Sequence, residues 1–421
     1  MGRARGFGGF RNGLAVLVVA GAVAGGVVIG ANVIDEPPPT PGTANIWIDT
    51  NGGSCVDNAT LVEYNDSQAC IPSAANSTGD SGDIILMKGG SYTVNWDITA
   101  TNITIHPAPT ETVNISGYIS IVGANTEVDG GDTLGQNEVN RIIIARTSSA
   151  QDAAPIDFTG DNAGKIIEDV AGDSAWFGGD FSTLRFSEIG PLSGCGGVQD
   201  MIASILVQDV VFEGNYAHDL TKTGCEVNHS DMMDIQFAGN SKIINNSLYN
   251  CQDQCIFNAA DNQTQADAMH GLLIENNSFN NSDAIGVQCD GACEMNYNTY
   301  SGLALGSYRA GPFFATALTL TGNIFMQDTI CTSTNADVPG STVSHSYSIF
   351  PSGNSDGACG TGSTMASVTR SDNIGHIATG SYAAIAGKGN PSDCPANDID
   401  YQTRPLGTAT TCDAGADEVD D

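Results

Sequence analysis

A short phrase recurs four times in the second half of the chain: an asparagine followed two positions later by a bulky apolar residue. The phrases begin at Asn246, Asn277, Asn298 and Asn323, so they lie 31, 21 and 25 residues apart. Spacings this irregular do not suit a helical repeat, but they suit a coil whose loops vary in length while its strands stay in register. Each phrase also follows a β-branched or apolar run. The pattern predicts a parallel β-solenoid in which each asparagine hydrogen-bonds to the next coil, although asparagine is also common in ordinary turns.

One long solenoid accounts for the chain more simply than several globular domains. Short apolar runs bounded by glycine or proline continue from about Ile46 to Ala386, and no long helical pattern follows residue 34. At roughly 20 to 45 residues per repeat, this length predicts about 8 to 17 coils. Because parallel crossovers are generally right-handed, we expect an all-β chain with a single right-handed parallel β-helix over residues 45–390. An irregular, acidic, disulfide-tied tail is expected over residues 391–421.

The amino terminus has the pattern of an export segment. Three arginines precede an uncharged stretch from Leu14 to Ile34, and a proline-rich linker occupies residues 35–44. The 21 uncharged residues are enough to span a bilayer, whereas Ala22-Val23-Ala24 is typical of a cleavage site. Residues 1–34 are therefore predicted to be either a signal peptide or a membrane anchor. The rest of the protein is predicted to be extracellular, secreted or anchored to the cell surface.

The twelve cysteines agree with export, because an even number in an exported chain indicates disulfides. They fall in neighbouring pairs along the chain: Cys55 and Cys70, Cys195 and Cys225, Cys251 and Cys255, Cys289 and Cys293, Cys331 and Cys359, and Cys394 and Cys412. We expect most of them to pair in this order, although bonds from Cys251 to Cys289 and from Cys255 to Cys293 could instead link adjacent coils. Zinc is not favoured, because no Cys-x2-Cys pair or histidine partner accompanies the Cys-x3-Cys spacings.

The charge of the chain limits the classes of molecule that it can bind. Asp and Glu number 48 against 14 Lys and Arg, which gives a formal net charge of −34. Such a surface repels nucleic acid and anionic membranes. It also repels polymers rich in uronic acids unless calcium intervenes. A charge of this size is in addition a common way to keep a protein soluble.

Three segments resemble secreted right-handed parallel β-helix proteins of the pectate-lyase-like superfamily. Residues 45–53 with 82–92 are similar to the first coils of that family, residues 228–236 to a His-x-Asp strand ending in Ile-Gln, and residues 398–418 to the closing segment of many surface-displayed β-helices. The resemblance implies the fold and exposure at the cell surface. It does not imply pectin degradation, because the Arg-x-Pro-x-x-Arg pattern of the lyases and the paired-Asp and Gly-His-Gly segments of the polygalacturonases are absent.

Residues 226–236 hold the densest group of titratable side chains in the predicted solenoid. If Ile235 points into the core, strand alternation sends Asp234 and Gln236 outward on one face. Neighbouring coils are predicted to add further polar side chains to that face, namely Gln254, Asn258, Gln288 and Asp290. Extended glycans bind such faces through repeated hydrogen bonds to their hydroxyls, so a polysaccharide or cell-surface glycan is the expected partner.

An acid–base hypothesis follows from the same segment. His229 or Asp231 would act as the base, with Asp234 as the partner acid, or Asp231 and Asp234 would bind calcium. Arg309 is either an anchor for a substrate carboxylate or a surface ion-pair partner. The alternative is that the residues of this segment only satisfy turn and cap hydrogen bonds. The sequence thus predicts an extracellular β-helix that binds, and in one hypothesis cleaves, a polysaccharide as a lyase or glycoside hydrolase. The rival hypothesis is a non-catalytic adhesin, stalk or structural surface protein.

Overall fold

The protein is described by a computed structural model over residues 43–131, 142–146, 154–160, 162–193, 200–205, 207–221, 230–236, 239–251, 254–259, 271–281, 285–289, 293–301, 308–310, 318–327, 343–372, 374–405 and 410–419. Side chains are described for all of these residues except 205, 236, 259, 281, 285–289 and 308–310. The described residues all belong to one of the two units into which the chain divides, residues 38–421.

The chain winds into a parallel β-helix with three faces, and the strands are numbered in chain order. The first face is a 12-stranded parallel sheet of β2 (Ile46–Gly53), β4 (Ile84–Met87), β6 (Thr104–Pro107), β8 (Thr126–Asp129), β11 (Lys165–Glu168), β14 (Ser182–Arg185), β18 (Val211–Glu213), β22 (Lys242–Ile244), β25 (Leu272–Glu275), β28 (Cys293–Asn296), β31 (Leu318–Thr321) and β33 (Val343–Ser346). With one such strand per coil, the described chain has about twelve coils, which agrees with the predicted range.

The second and third faces belong to one 19-stranded sheet. The second face comprises β9 (Ile142–Ala145), β12 (Val170–Gly172), β15 (Glu188–Ile189), β19 (Tyr216–His218), β23 (Ser247–Cys251), β26 (Ser278–Asn281), β29 (Thr299–Ser301), β32 (Ile324–Phe325), β34 (Ile349–Phe350) and β35 (Thr364–Met365). The third face comprises β10 (Ile156–Thr159), β13 (Ala175–Gly178), β17 (Ile202–Ile205), β21 (Met233–Gln236), β24 (Gln254–Ala259), β27 (Ile285–Cys289) and β30 (Tyr308–Ala310). The long strands β5 (Gly90–Ile98) and β7 (Val113–Ile121) span both faces, because β7 pairs first with β9 and then with β10.

Few other regular elements occur among the described residues. They are the antiparallel pair β1 (Thr43–Ala44) and β3 (Val62–Glu63), the parallel pair β16 (Leu192–Ser193) and β20 (Leu220–Thr221), helix α1 (Pro72–Ala75), a 3₁₀ turn (Thr379–Ser381) and helix α2 (Tyr382–Ile385). The predicted all-β parallel β-helix is therefore confirmed. No helix within these ranges is long and apolar enough to cross a membrane. The predicted signal peptide or anchor at residues 1–34 lies outside the described residues and stays a prediction.

The core is a set of stacked columns of side chains from successive coils. Strand alternation turns every second residue inward, so equivalent apolar residues of neighbouring coils lie on top of one another. On the second face, the rings of Phe279, Tyr300, Phe325 and Phe350 form one such column, with neighbouring ring centroids 5.0 to 5.1 Å apart. All four side chains are buried, so the column fixes the register of these coils.

The turn between the first and second faces is the most regular connection of the solenoid. It has two residues in each of the seven coils from β14 to β34, and the second residue is asparagine in five of them. Each of these side chains accepts a hydrogen bond from the backbone amide one coil earlier, as Asn277 Oδ1 does from Asn246 N at 2.9 Å. The predicted row of Asn246, Asn277, Asn298 and Asn323 is confirmed, and it also includes Asn215.

Three of the predicted disulfides are present in the described residues: Cys55–Cys70, Cys251–Cys255 and Cys394–Cys412. The Cys251–Cys255 bond rules out the alternative links from these two cysteines to the next coil. Cys293 and Cys359 are also disulfide-bonded. Their predicted partners, the Cys289 side chain and Cys331, are not described, and Cys195 and Cys225 lie outside the described residues as well.

We call residues 386–419 the C-terminal strap, and its described parts, residues 386–405 and 410–419, run along the turns between the first and second faces. Gly415 N donates to Gly322 O at 2.6 Å, and Ala416 N donates to Thr299 Oγ1 at 3.1 Å. Further along, Tyr401 packs edge-on against Phe186, with ring centroids 5.4 Å apart. Because these partners lie on coils far apart in the stack, the strap braces several coils from one side.

Candidate functional site

The third face is bordered by the connections that vary most in length. Over the coils from β12 to β31, the connections from the second face to the third have two to fourteen residues. The connections from the third face to the first have three to twelve residues. The turns between the first and second faces are nearly constant by comparison. Variable connections on a rigid scaffold are where binding residues concentrate, so the third face is the first place to look for a site.

One row of residue positions crosses this face from strand to strand, and we call it the third-face row. Backbone register places its members side by side in the order Asp97, Ser120, Asp157, Trp176, Ala203, Asp234, Phe257, Gln288 and Arg309. Neighbouring strands are about 4.8 Å apart, so the part of the row from Asp157 to Phe257 is roughly 19 Å long. The row therefore forms an extended surface and not a pocket for a small molecule.

The middle of the row alternates rings with carboxylates. Trp176 and Phe257 are half-buried, and the half-buried Asp234 lies between them beside the small Ala203. A ring offers a flat apolar surface, and a carboxylate accepts hydrogen bonds from hydroxyls. Both kinds of surface are thus presented on the same line.

The beginning of the row holds a carboxyl group in an unusual environment. Asp157 is only 9% exposed, and its Oδ1 has no hydrogen-bond partner among the described residues. Burial raises the pKa of Asp157 to about 7, although a hydrogen bond from Ser120 opposes the shift. The exposed Asp97 lies on the other side of Ser120, where the hydroxyl of Tyr118 bonds to it. Asp157 therefore keeps its proton to a much higher pH than an exposed aspartate does.

Several residues singled out from the sequence fall on this row. Asp234 does so with its side chain, and the backbone register puts Gln288 and Arg309 on the same line. Gln236 lies two positions beyond Asp234 on β21. Their predicted roles in binding stay predictions, but the structure brings their positions together.

Other predicted site residues are elsewhere. Asp231 is 1% exposed and precedes β21, where its backbone amide donates to Asp200 Oδ1 at 2.9 Å. Asn258 is fully buried, with its amide directed at Cys293 Sγ. Gln254 is also buried. The prediction that Gln254 and Asn258 join the outward face of Asp234 is therefore wrong, because both side chains are buried. Asp231, predicted as a base or calcium ligand, is buried before the strand begins. His229 and Asp290 lie outside the described residues.

The calcium prediction finds no support at Asp231 and Asp234. Groups of three acidic side chains close enough to share an ion occur among the described residues at Asp129, Glu168 and Asp169 and at Asp398, Asp400 and Asp417. The protein itself already engages several of these carboxylates. Asp129 pairs with His106 at 3.1 Å, Glu168 pairs with Arg185, and Asp398 accepts backbone amides of Gln402 and Glu418. These internal partners account for the clusters without an ion, and calcium binding stays a prediction.

Sequence reasoning missed Asp97, Asp157, Trp176 and Phe257. Each stands in a strand in which it alternates with buried residues, as Asp157 does between Ile156 and Phe158. This alternation is visible in the sequence, and it shows that each of the four side chains points outward. It does not show which residue of the next coil lies beside it, because the connecting loops differ in length.

No protein-family model matches the chain, and no curated protein matches it. Among solved structures, the chain is similar to the crystal structure of pectate lyase Pel9A, with a TM-score of 0.43 and 12% sequence identity. The similarity covers 89% of this chain and 96% of the other. A likeness this distant says nothing about the chemistry of the third face.

Proposed function

We propose that the protein binds an extended polysaccharide along the third-face row, outside the cell. The observation that carries the proposal is the line of Trp176, Asp234 and Phe257 on neighbouring strands, with Ala203 between the first two. The rings would stack on the apolar faces of sugar units, while Asp234 accepts hydrogen bonds from their hydroxyls. The disulfides favour an oxidising, extracellular setting.

The charge favours a neutral glycan. Asp97, Asp157 and Asp234 lie on the row, and the whole chain has a formal net charge of −34. A polymer rich in carboxylates would be repelled at long range, so it would need calcium to bridge the two surfaces. We therefore expect binding to neutral polysaccharides without calcium, and binding to polygalacturonate only with calcium.

The test is binding of the full chain to xylan, mannan, mixed-linkage glucan, starch and polygalacturonate, with and without calcium. For a bound neutral glycan, Trp176→Ala combined with Phe257→Ala is expected to raise the dissociation constant at least about tenfold, since buried aromatic contacts carry much of the affinity of an interface. Phe181→Ala is the matched control, because Phe181 is an exposed ring away from the row. Equal affinities for the double variant and the control would refute the proposal.

Cleavage at the originally predicted residues is a separate hypothesis. If His229 and Asp234 act on the bound glycan, then His229→Ala and Asp234→Ala abolish the release of reducing ends or unsaturated products from it. Binding without any turnover by the unmodified protein would favour the non-catalytic adhesin, stalk or structural protein.

A further inference from the structure

Asp157 stands out among the carboxyl groups of the third face. It faces outward on β10 and yet is nine-tenths buried, between Ser120 on one neighbouring strand and Trp176 on the other. Burying a carboxyl oxygen without a partner is costly, and it is tolerated where the group has a chemical role or where a ligand completes its contacts. Oδ1 of Asp157 is such an atom within the described part of the chain.

A second carboxyl group belongs to the same row. Asp97 and Asp157 are two strands apart on the row, with Ser120 between them. This corresponds to a backbone separation of about 9.6 Å. The side chain of Ser120 is small and buried, and its hydroxyl is 3.0 Å from that of Thr159. Enzymes that hydrolyse glycosidic bonds with inversion hold their two carboxyl groups roughly 6.5 to 9.5 Å apart.

We propose that Asp157 and Asp97 are the acid and the base of a glycoside hydrolase site that cleaves the polysaccharide held on the third-face row. This proposal rests on the proposed function, because the glycan must first be bound along the row. Trp176 would hold the sugar next to the scissile bond. Cleavage is thereby placed at the Asp97 end of the row, away from Asp234.

The reaction balances without a cofactor. The Asp157 carboxyl gives its proton to the glycosidic oxygen as the bond from that oxygen to the anomeric carbon breaks. A water molecule from solvent attacks the anomeric carbon from the opposite side of the ring, and the Asp97 carboxylate takes the proton that this water loses. Exchange of protons with solvent then restores both groups. The first product has the inverted anomeric configuration.

The environment of Asp157 suits the role of acid near neutral pH. Burial is the main cause of the raised pKa of Asp157, which is about 7. The nearby charge of Asp97 raises this pKa further, and the charge of the buried Lys165 lowers it. Turnover should therefore decline as the pH rises above about 7 and the proton is lost.

The test uses the full chain and whichever neutral polysaccharide it binds. Asp157→Asn is expected to lower the rate of reducing-end release at least about 100-fold, while the dissociation constant changes less than about threefold. Asp97→Asn should behave in the same way, and Asp57→Asn, at an exposed position off the row, should keep full activity. Nuclear magnetic resonance of the first product should show inversion.

Each other outcome contradicts the proposal in a distinguishable way. Normal turnover by Asp157→Asn, or loss of turnover only in the His229 and Asp234 variants, would exclude Asp157 as the acid. A bound glycan that the unmodified protein never cleaves would overturn the hydrolase and leave the binding function standing. Failure to bind any of the glycans would overturn both. Thermal unfolding of each variant shows whether a lost activity reflects lost structure.

Discussion

Replacing Asn277 by alanine is expected to lower the free energy of unfolding by about 3 to 5 kcal/mol, because several buried polar groups lose their partners together. Asn277 Oδ1 accepts hydrogen bonds from the backbone amide and the side-chain amide of Asn246, at 2.9 and 3.0 Å. Its own Nδ2 donates to Ile243 O at 2.7 Å and Glu275 O at 3.0 Å. The turn is fully enclosed, so water cannot replace these contacts. Denaturant unfolding of the two proteins measures the difference.

The matched control is Asn114→Ala. Asn114 is exposed on β7, so its truncation should change the free energy of unfolding by less than about 0.5 kcal/mol. Hydrogen exchange adds a local readout, since the Asn246 amide should lose protection in Asn277→Ala and keep it in Asn114→Ala. If both substitutions cost the same, the asparagine row is not what holds these turns.

The second large effect is expected at Arg404, whose side chain is fully buried within the C-terminal strap. Its guanidinium donates to Gly415 O at 2.8 Å and lies 3.5 Å from the buried carboxylate of Glu418. Arg404→Met removes the charge and leaves Glu418 buried without it. Breaking a buried ion pair from one side costs about 3 to 5 kcal/mol. We expect residues 386–419 to detach from the coils, which hydrogen exchange over that segment would detect.

Lys388→Met is the control for charge alone, because Lys388 is an exposed cation in the same strap. It should leave hydrogen exchange and protease resistance of the strap unchanged. A strap that stays protected in Arg404→Met would mean that its contacts with Thr299 and Gly322 suffice without the buried arginine.

The solenoid was predictable because its determinants are local in sequence. From β14 onward, the turn after each first-face strand has a fixed length and needs a side chain that both accepts from and donates to the preceding coil. Asparagine can do both, so it recurs with the strand that precedes it. Asn215 belongs to the same series, in the phrase Asn215-Tyr216-Ala217, but a small alanine follows it instead of a bulky residue. Gly214, the residue before Asn215, has φ of +65°. A side chain at this position would collide with Phe186 and with Tyr401 of the strap.

The site was less predictable because it depends on register across loops of unequal length. Asp234 was identified correctly as outward by alternation from Ile235. Asn258 lies two residues after the buried Ile256, so the same rule turns it inward, but a polar residue at a core position gives no apolar signal. Asp231 precedes its strand, where alternation does not apply. The position of Asp157 beside Trp176, with Asp97 two strands away on the other side, follows only from the structure.

The C-terminal strap has a consequence for how such a chain matures. Coils made early in synthesis can stack as soon as they emerge, since each contacts mainly its neighbours. Phe186 and Thr299, in contrast, receive their partners Tyr401 and Ala416 only when the last part of the chain has been made. The strap thus docks on this side of the stack in one late step that joins residues far apart in sequence. Such a step is slow compared with the stacking of neighbouring coils. Products cut short before residue 386 would lack the contacts of the strap on this side of the stack, so we expect proteases to degrade them faster than the full chain.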